Sequence, residues 1–172
     1  MNESILRGVA MVSHSVKKLS ERYPDSQIGK TIVQKTMYML TREGVIDFNY
    51  SMYHYGPYSA QVSSEINFAE NIGAVEIDWI SDKGYFIKPK SDELEGVLSE
   101  DDKQAVDRVI DKYGRFNAVE ISIIATALFV EDNFEVSDKE ELIRVVASLK
   151  PQYSKEWIKN ILKGGGVIFE TN

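Results

Sequence analysis

The sequence contains no cysteine, and this absence excludes several kinds of site. A chain without thiols forms no disulfide bond, no thiolate zinc site and no cysteine nucleophile. Histidine is nearly as scarce, with two residues in 172, and neither His14 nor His54 belongs to an H-E-x-x-H pattern or another set with ligand spacing. No other residue set points to a reaction. We therefore expect no metal site, no cofactor, no catalytic residue and no enzymatic activity.

Long apolar runs and a basic leader are also missing. The most apolar stretch, residues 121–130, has about half the length of a membrane-spanning helix. Residues 1–4 lack the basic start of a signal peptide. The sequence thus predicts a soluble, cytoplasmic protein that does not bind a membrane, and the absence of cysteine suits such a reducing compartment.

The chain has no excess of basic residues. Its net charge is −7, from 20 Lys and Arg against 27 Asp and Glu. Residues 1–90 contain 10 basic and 10 acidic residues, and residues 91–172 contain 10 and 17, so the second half carries the whole excess. Nucleic-acid-binding proteins usually show a basic footprint. The charge pattern therefore argues against a nucleic-acid partner.

What is present is enough apolar material for a folded domain. Hydrophobic residues make up 43% of the sequence, which supports a core in one domain or in one domain with a helical extension. Apolar periodicity predicts the elements of the first half. These are helices at Glu3–Arg22, 27–44 and Ala60–Asn71, a strand at 47–55, and a hairpin formed by 75–79 and 85–87.

The second half is predicted to be helical. Four helices are expected, capped at their N-termini by Ser99, Asn117, Ser137 and Ser154. The helix after Asn117 has almost no polar face and should therefore be central. The polar stretch 91–98 reads as a connector between a first region, 1–90, and a helical region, 99–163. Three glycines then open a tail, 164–172, that we expect to be flexible.

The predicted fold class is therefore α+β and mostly helical. The order helix, helix, strand, helix, hairpin makes the first half partly similar to a winged helix with a small antiparallel sheet. A winged helix normally has two helices between its first strand and its wing, and this chain has one. The helical second half has no counterpart in that comparison.

One stretch carries a motif that composition does not explain. A predicted helix contains Gln34-Lys35-x-x-Tyr38, and the next strand leads into Tyr55-Gly56-Pro57 before another helix. We expect Gly56-Pro57 to form the turn that ends this strand, because proline donates no ladder hydrogen bond. Tyr55 should fix that turn, and Ser59 should cap the helix that follows.

This arrangement resembles the Panacea domain, whose members include SocA-like antitoxins and proteolytic adaptors. The longer form Tyr55-Gly56-Pro57-Tyr58-Ser59 is closest to the YwgA-like proteins. The resemblance covers about residues 19–87. It implies a non-enzymatic protein that binds a protein partner, either a toxin to be neutralised or a substrate for a protease. A homo-oligomer is left open.

Aromatic and cationic residues beside the motif are the candidate partner contacts. We name Lys35, Tyr38, Tyr53 and Tyr58, because tyrosine offers a large contact area at low entropic cost. The competing interpretation is that these tyrosines fill a half-buried sheet and that the lysine lies on a solvated helix face.

A winged-helix transcription regulator is the alternative function. It would bind DNA through the third helix and the following hairpin. Residues 60–72 contain Glu65 and Glu70 but no Lys or Arg. Phosphate contacts need cations, so this composition argues against the DNA interpretation.

Overall fold

The fold is α+β and mostly helical, as the sequence predicts. The computed structural model describes the backbone of residues 3–169 and the side chains of residues 5–169. The described helices are α1 (Glu3–Arg22), α2 (Lys30–Arg42), α3 (Ala60–Asn71), α4 (Glu100–Tyr113), α5 (Ala118–Phe134), α6 (Lys139–Leu149) and α7 (Lys155–Gly164). The strands are β1 (Ser51–Tyr53), β2 (Gly56–Tyr58), β3 (Val75–Ile80) and β4 (Gly84–Pro89). A short 3-10 helix spans Glu95–Val97.

Helix α2 is shorter than the predicted helix at 27–44, and its first residues have another role. Gln27 donates its side-chain amide to the carbonyl oxygens of Lys83 and Tyr85, at 2.8 and 3.0 Å. The Ile28 carbonyl accepts from the backbone N–H of Ile87 at 2.8 Å. The chain before α2 is therefore joined to the second hairpin instead of continuing the helix.

Helix α5 is the centre of the molecule, as its sequence predicts. Every residue from Ile121 to Leu128 is buried, and so is Val130. The helix contacts α2, α6, α7 and β2. One apolar cluster joins buried residues of α1 and α2 with those of α4 and α5. The predicted regions 1–90 and 99–163 therefore share a core, and the 3-10 helix of the connector lies on α1.

Two details of the C-terminal half differ from the sequence prediction. The N-cap of α6 is Asp138 instead of Ser137, since the Asp138 carboxylate accepts from the N–H of Glu141 at 2.9 Å. The start of the predicted flexible tail is packed. The Gly165 backbone lies directly against the Ile124 side chain, and Ile168 is buried. Residues 170–172 of that tail lie outside the described residues.

The β structure consists of two separate antiparallel pairs. The β3–β4 hairpin agrees with the prediction, with Val75 opposite Pro89 and Ile80 opposite Gly84. The predicted single strand at 47–55 is wrong. Residues 47–50 are irregular, and a hairpin turns at His54 and Tyr55 so that β1 pairs with β2.

Gly56 and Pro57 are consequently strand residues, and the prediction that they form a turn is also wrong. Proline is tolerated here because the pair has only two strands, and opposed residues in an antiparallel pair alternate between hydrogen-bonded and unbonded positions. Pro57 lies opposite Met52, between the Ser51–Tyr58 and Tyr53–Gly56 pairs. The prediction for Ser59 is confirmed, since its hydroxyl caps α3.

Within the described residues, no single helix has both the length and the apolar character to cross a bilayer. Only α4 and α5 taken together meet those two criteria, and they are bent by 107° at the break between them.

Candidate functional site

The β1–β2 hairpin, residues 51–58, is held on the body of the protein by side chains of the motif. Gln34 of α2 makes both hydrogen bonds of a backbone pair with Ser59, the residue after β2. Its Oε1 accepts from the Ser59 N–H at 3.0 Å, and its Nε2 donates to the Ser59 carbonyl at 2.8 Å. Both residues are buried. A buried amide that satisfies a buried backbone pair fixes the position of the chain between β2 and α3.

Two buried lysines hold the backbone of the same hairpin, one at strand β2 and one at the turn. Lys35 Nζ donates to the Pro57 carbonyl at 2.9 Å, and Lys150 Nζ donates to the His54 carbonyl at 2.6 Å. The two lysines are 2% and 5% exposed. Burial, with a smaller contribution from the charge on Lys150, lowers the pKa of Lys35 to about 8. Burial also lowers the pKa of Lys150.

Gly56 allows the hairpin to lie on α5. Its φ angle is +98°, which favours glycine. A Cβ atom at this position would lie 2.7 Å from Thr126 Oγ1 and 3.2 Å from the Ser122 carbonyl oxygen. The backbone of β2 therefore approaches α5 more closely than any other residue type allows.

The outer face of this hairpin carries tyrosines. Tyr53 is 60% exposed and Tyr55 is 66% exposed. The Tyr53 ring contacts the rings of His54 and Tyr58, with centroid distances of 4.7 and 5.5 Å. Tyr58 is half-buried, and its hydroxyl donates to Ser63 Oγ at 2.9 Å. The result is an exposed aromatic surface on an anchored hairpin.

The structure divides the predicted contact residues into two groups. Tyr53 and Tyr58 lie together on this surface, whereas Lys35 and Tyr38 are buried beneath it. Tyr38 packs its ring against those of Tyr50 and Phe129, at 5.0 and 6.3 Å, and burial raises its pKa. Neither Lys35 nor Tyr38 can contact a partner from this position, so that part of the prediction fails.

The structure also contradicts the structural function predicted for Tyr55. The sequence predicts that Tyr55 fixes a Gly-Pro turn, yet its side chain lies at the exposed tip of the hairpin. The structural function predicted for Tyr55 belongs to Gly56 and to the two lysines. Lys150 was missed because it lies 96 positions from His54 in the chain, and no local pattern connects such residues.

The described residues contain no group of three or more His, Cys, Asp or Glu side chains arranged to hold a metal ion. His14 is buried on α1, and its Nδ1 lies 2.9 Å from Glu95 Oε1 in the 3-10 helix.

The Gln-Lys pair and the Gly-Pro strand that it anchors lie inside one family match. Residues 32–127, more than half of the chain, match the family described as "Antitoxin SocA-like, Panacea domain". The protein therefore belongs to this family. No curated protein matches the chain. The match begins within α2 and ends within α5, so it includes Gln34, Lys35 and the β1–β2 hairpin but not Lys150. Similarity to the YwgA-like proteins stays a prediction.

Proposed function

We propose that this protein is an antitoxin that binds a protein toxin and neutralises it without catalysing a reaction. The observation that carries the proposal is the match of residues 32–127 to the SocA-like antitoxin family. In this proposal the protein acts in the cytoplasm, which suits a chain without cysteine. It needs no cofactor or membrane.

The β1–β2 hairpin supplies the contact surface in this proposal. Tyrosine is enriched in protein interfaces, and a few anchors supply most of the binding energy. Tyr53 and Tyr58 offer such anchors with their rings in contact, and Tyr55 adds an exposed ring at the tip of the hairpin. The hydrogen bonds from Lys35 and Lys150 hold their backbone in place. A surface that is already ordered loses less conformational entropy on binding.

A proteolytic adaptor would use the same surface and is the second function that the family resemblance implies. It differs in outcome, since the partner would be degraded instead of being held in an inactive complex. The DNA-binding alternative gains no support. Helix α3 carries Glu65 and Glu70 and no Lys or Arg that could contact phosphate. Burial raises the pKa of Glu65, but a protonated carboxyl group is neutral and supplies no positive charge.

Co-expression tests the proposal. The product of the gene next to this one should inhibit growth when produced alone, and the wild-type protein should restore growth while the level of that product stays constant. Restored growth with loss of the product would indicate an adaptor instead. The variant Tyr53→Ala/Tyr55→Ala should fail to restore growth. Trp79→Ala is the matched control, because Trp79 is a 65% exposed aromatic residue on the other hairpin. Equal rescue by all three proteins would exclude this surface.

A further inference from the structure

A cleft of about 760 Å³ lies between the start of α2, the β3–β4 turn and the loop between α4 and α5. Its size falls within the range of sites for small organic ligands, roughly 300–1,000 Å³. Gln27 connects two of its walls through hydrogen bonds to Lys83 and Tyr85. The walls are therefore fixed relative to one another in the described structure.

The charge of this cleft is opposite to that of the protein. Its lining includes three cations, Lys30, Lys83 and Arg115, and no Asp or Glu. The whole chain carries a net charge of −7. None of the three cations forms an ion pair within the part of the chain that the structure describes. The lining of the cleft is thus positively charged in a protein that is negative overall.

Neutral groups hold two of these cations in place. Lys30 Nζ lies 3.9 Å from the centre of the Tyr85 ring, and the Arg115 guanidinium lies 4.4 Å from the centre of the Phe116 ring. Arg115 also donates to the Gly164 carbonyl at 2.6 Å. Cation–π contacts position a cation without neutralising it. The guanidinium retains further N–H donors for a ligand.

The remaining lining suits the organic part of a ligand. Tyr23, Ile28, Phe116 and Val119 contribute apolar surface to the same cleft. The α2 N-terminus adds to the positive character, since Gly29 provides no side-chain cap and the first turn contains no acid. Backbone N–H groups at such a helix end favour an anion.

We propose that this cleft binds a small organic anion, a molecule with a phosphate or carboxylate group attached to an apolar or aromatic body. Lys30, Lys83 and Arg115 contact the anionic group, and the ring-lined wall contacts the body. Tyr55 of the first hairpin also lines this cleft, so the two proposals share that residue, but the anion contacts named here lie on α2, the second hairpin and the α4–α5 loop and can be tested without changing Tyr55.

Calorimetric titration of the full chain tests the proposal, with AMP, phenylpyruvate and inorganic phosphate as probes. AMP or phenylpyruvate should bind saturably at a single site, and added sodium chloride should weaken binding because it screens the charges. Binding of AMP alone would identify the phosphate group, and binding of phenylpyruvate alone the carboxylate group. No saturable binding of either up to about 10 mM, or tighter binding of inorganic phosphate, would overturn the proposal.

Charge-reversal variants locate the site. Lys30→Glu and Lys83→Glu should each raise the dissociation constant at least about tenfold, because each replaces an attraction by a repulsion. Lys155→Glu is the control, since it makes the same charge change on α7, outside the cleft lining. Thermal unfolding of each variant shows that it is folded. Equal weakening by Lys155→Glu, or unchanged binding in both cleft variants, would contradict the assignment.

Discussion

The two hairpins of this protein are held by different forces. The β3–β4 hairpin pairs six residues with six and buries Val75 and Ile87 in the core, so apolar burial and its own ladder support it. The β1–β2 hairpin pairs three residues with three, and Lys35 and Lys150 hold it through hydrogen bonds to its backbone. An isolated two-stranded hairpin has little stability in water, and a short one has less. The first hairpin therefore depends on the body of the protein for its shape.

This difference explains the residues of the Gln34-Lys35 and Gly56-Pro57 motif. Gln34 and Lys35 do not form a binding surface; they satisfy the backbone of the segment that follows the turn. Gly56 provides the close approach to α5. The exposed tyrosines are then free to serve recognition, because the fold does not require their side chains to be buried.

Alanine substitution of one glycine in each hairpin should produce the greatest difference in stability between the two hairpins. Gly56 and Gly84 have similar φ angles, +98° and +93°. Alanine at Gly84 meets nothing closer than 3.7 Å and should lower the free energy of unfolding by about 1–2 kcal/mol, through backbone strain alone. Gly56→Ala adds a clash with Thr126 and Ser122 and should lower it by about 2–5 kcal/mol. Urea denaturation measures both, and equal losses would mean that the approach to α5 is not tight.

A smaller effect concerns the pH dependence of stability. The pKa of Lys35 is about 8 in the folded protein, below its ordinary value of 10.5. Between these values the unfolded chain binds more protons, so this residue makes the free energy of unfolding rise with pH. Wild type should gain about 1–2 kcal/mol more than Lys35→Met between roughly pH 7 and 9.5. Urea titrations at each pH give the comparison.

The upper pH limit of that experiment has a physical reason. Burial raises the pKa of Tyr38 and of Tyr50, so their ionisation in the unfolded chain lowers stability at higher pH and opposes the lysine effect. If the free energy of unfolding changes with pH in the same way for wild type and Lys35→Met, at pH values below the ionisation of these tyrosines, then Lys35 is not desolvated beneath the hairpin.

The smallest expected effect on stability is that of Tyr55→Ala. Because the side chain is 66% exposed at the turn, its loss should change the free energy of unfolding by less than about 0.5 kcal/mol. Chemical denaturation of the variant beside the wild type checks this. A loss above about 2 kcal/mol would return Tyr55 to the structural function that its sequence position first indicated.

Much of the fold could be predicted from the sequence because its signals are local. The full span of α1, the Asn117 cap, the apolar surface of α5 and the β3–β4 hairpin all follow from periodicity and capping over neighbouring residues. The β1–β2 hairpin could not. Its strands are too short for a periodic pattern, and its position depends on contacts with Lys150 and Thr126, far along the chain.

The candidate site could likewise be predicted only in part, because its contacts join residues that are distant in the sequence. The sequence located the motif but could not tell which residues face inward. Lysine is a residue type expected at the surface, yet Lys35 is buried and donates a hydrogen bond to the carbonyl of Pro57. The sequence predicts that Tyr53 and Tyr58 lie near a turn. In the structure the pairing of β1 with β2 brings the centres of their rings to 5.5 Å from one another.

The function of the β1–β2 hairpin in recognition is tested by comparing affinities for the purified product of the neighbouring gene. Calorimetry should show that Tyr53→Ala/Tyr55→Ala binds it at least about tenfold more weakly than wild type, as expected for loss of interface anchors. The variant should unfold at an unchanged urea midpoint, and Trp79→Ala should bind like wild type. Equal affinity of wild type and the double variant would contradict the claim that the anchored hairpin is the recognition surface.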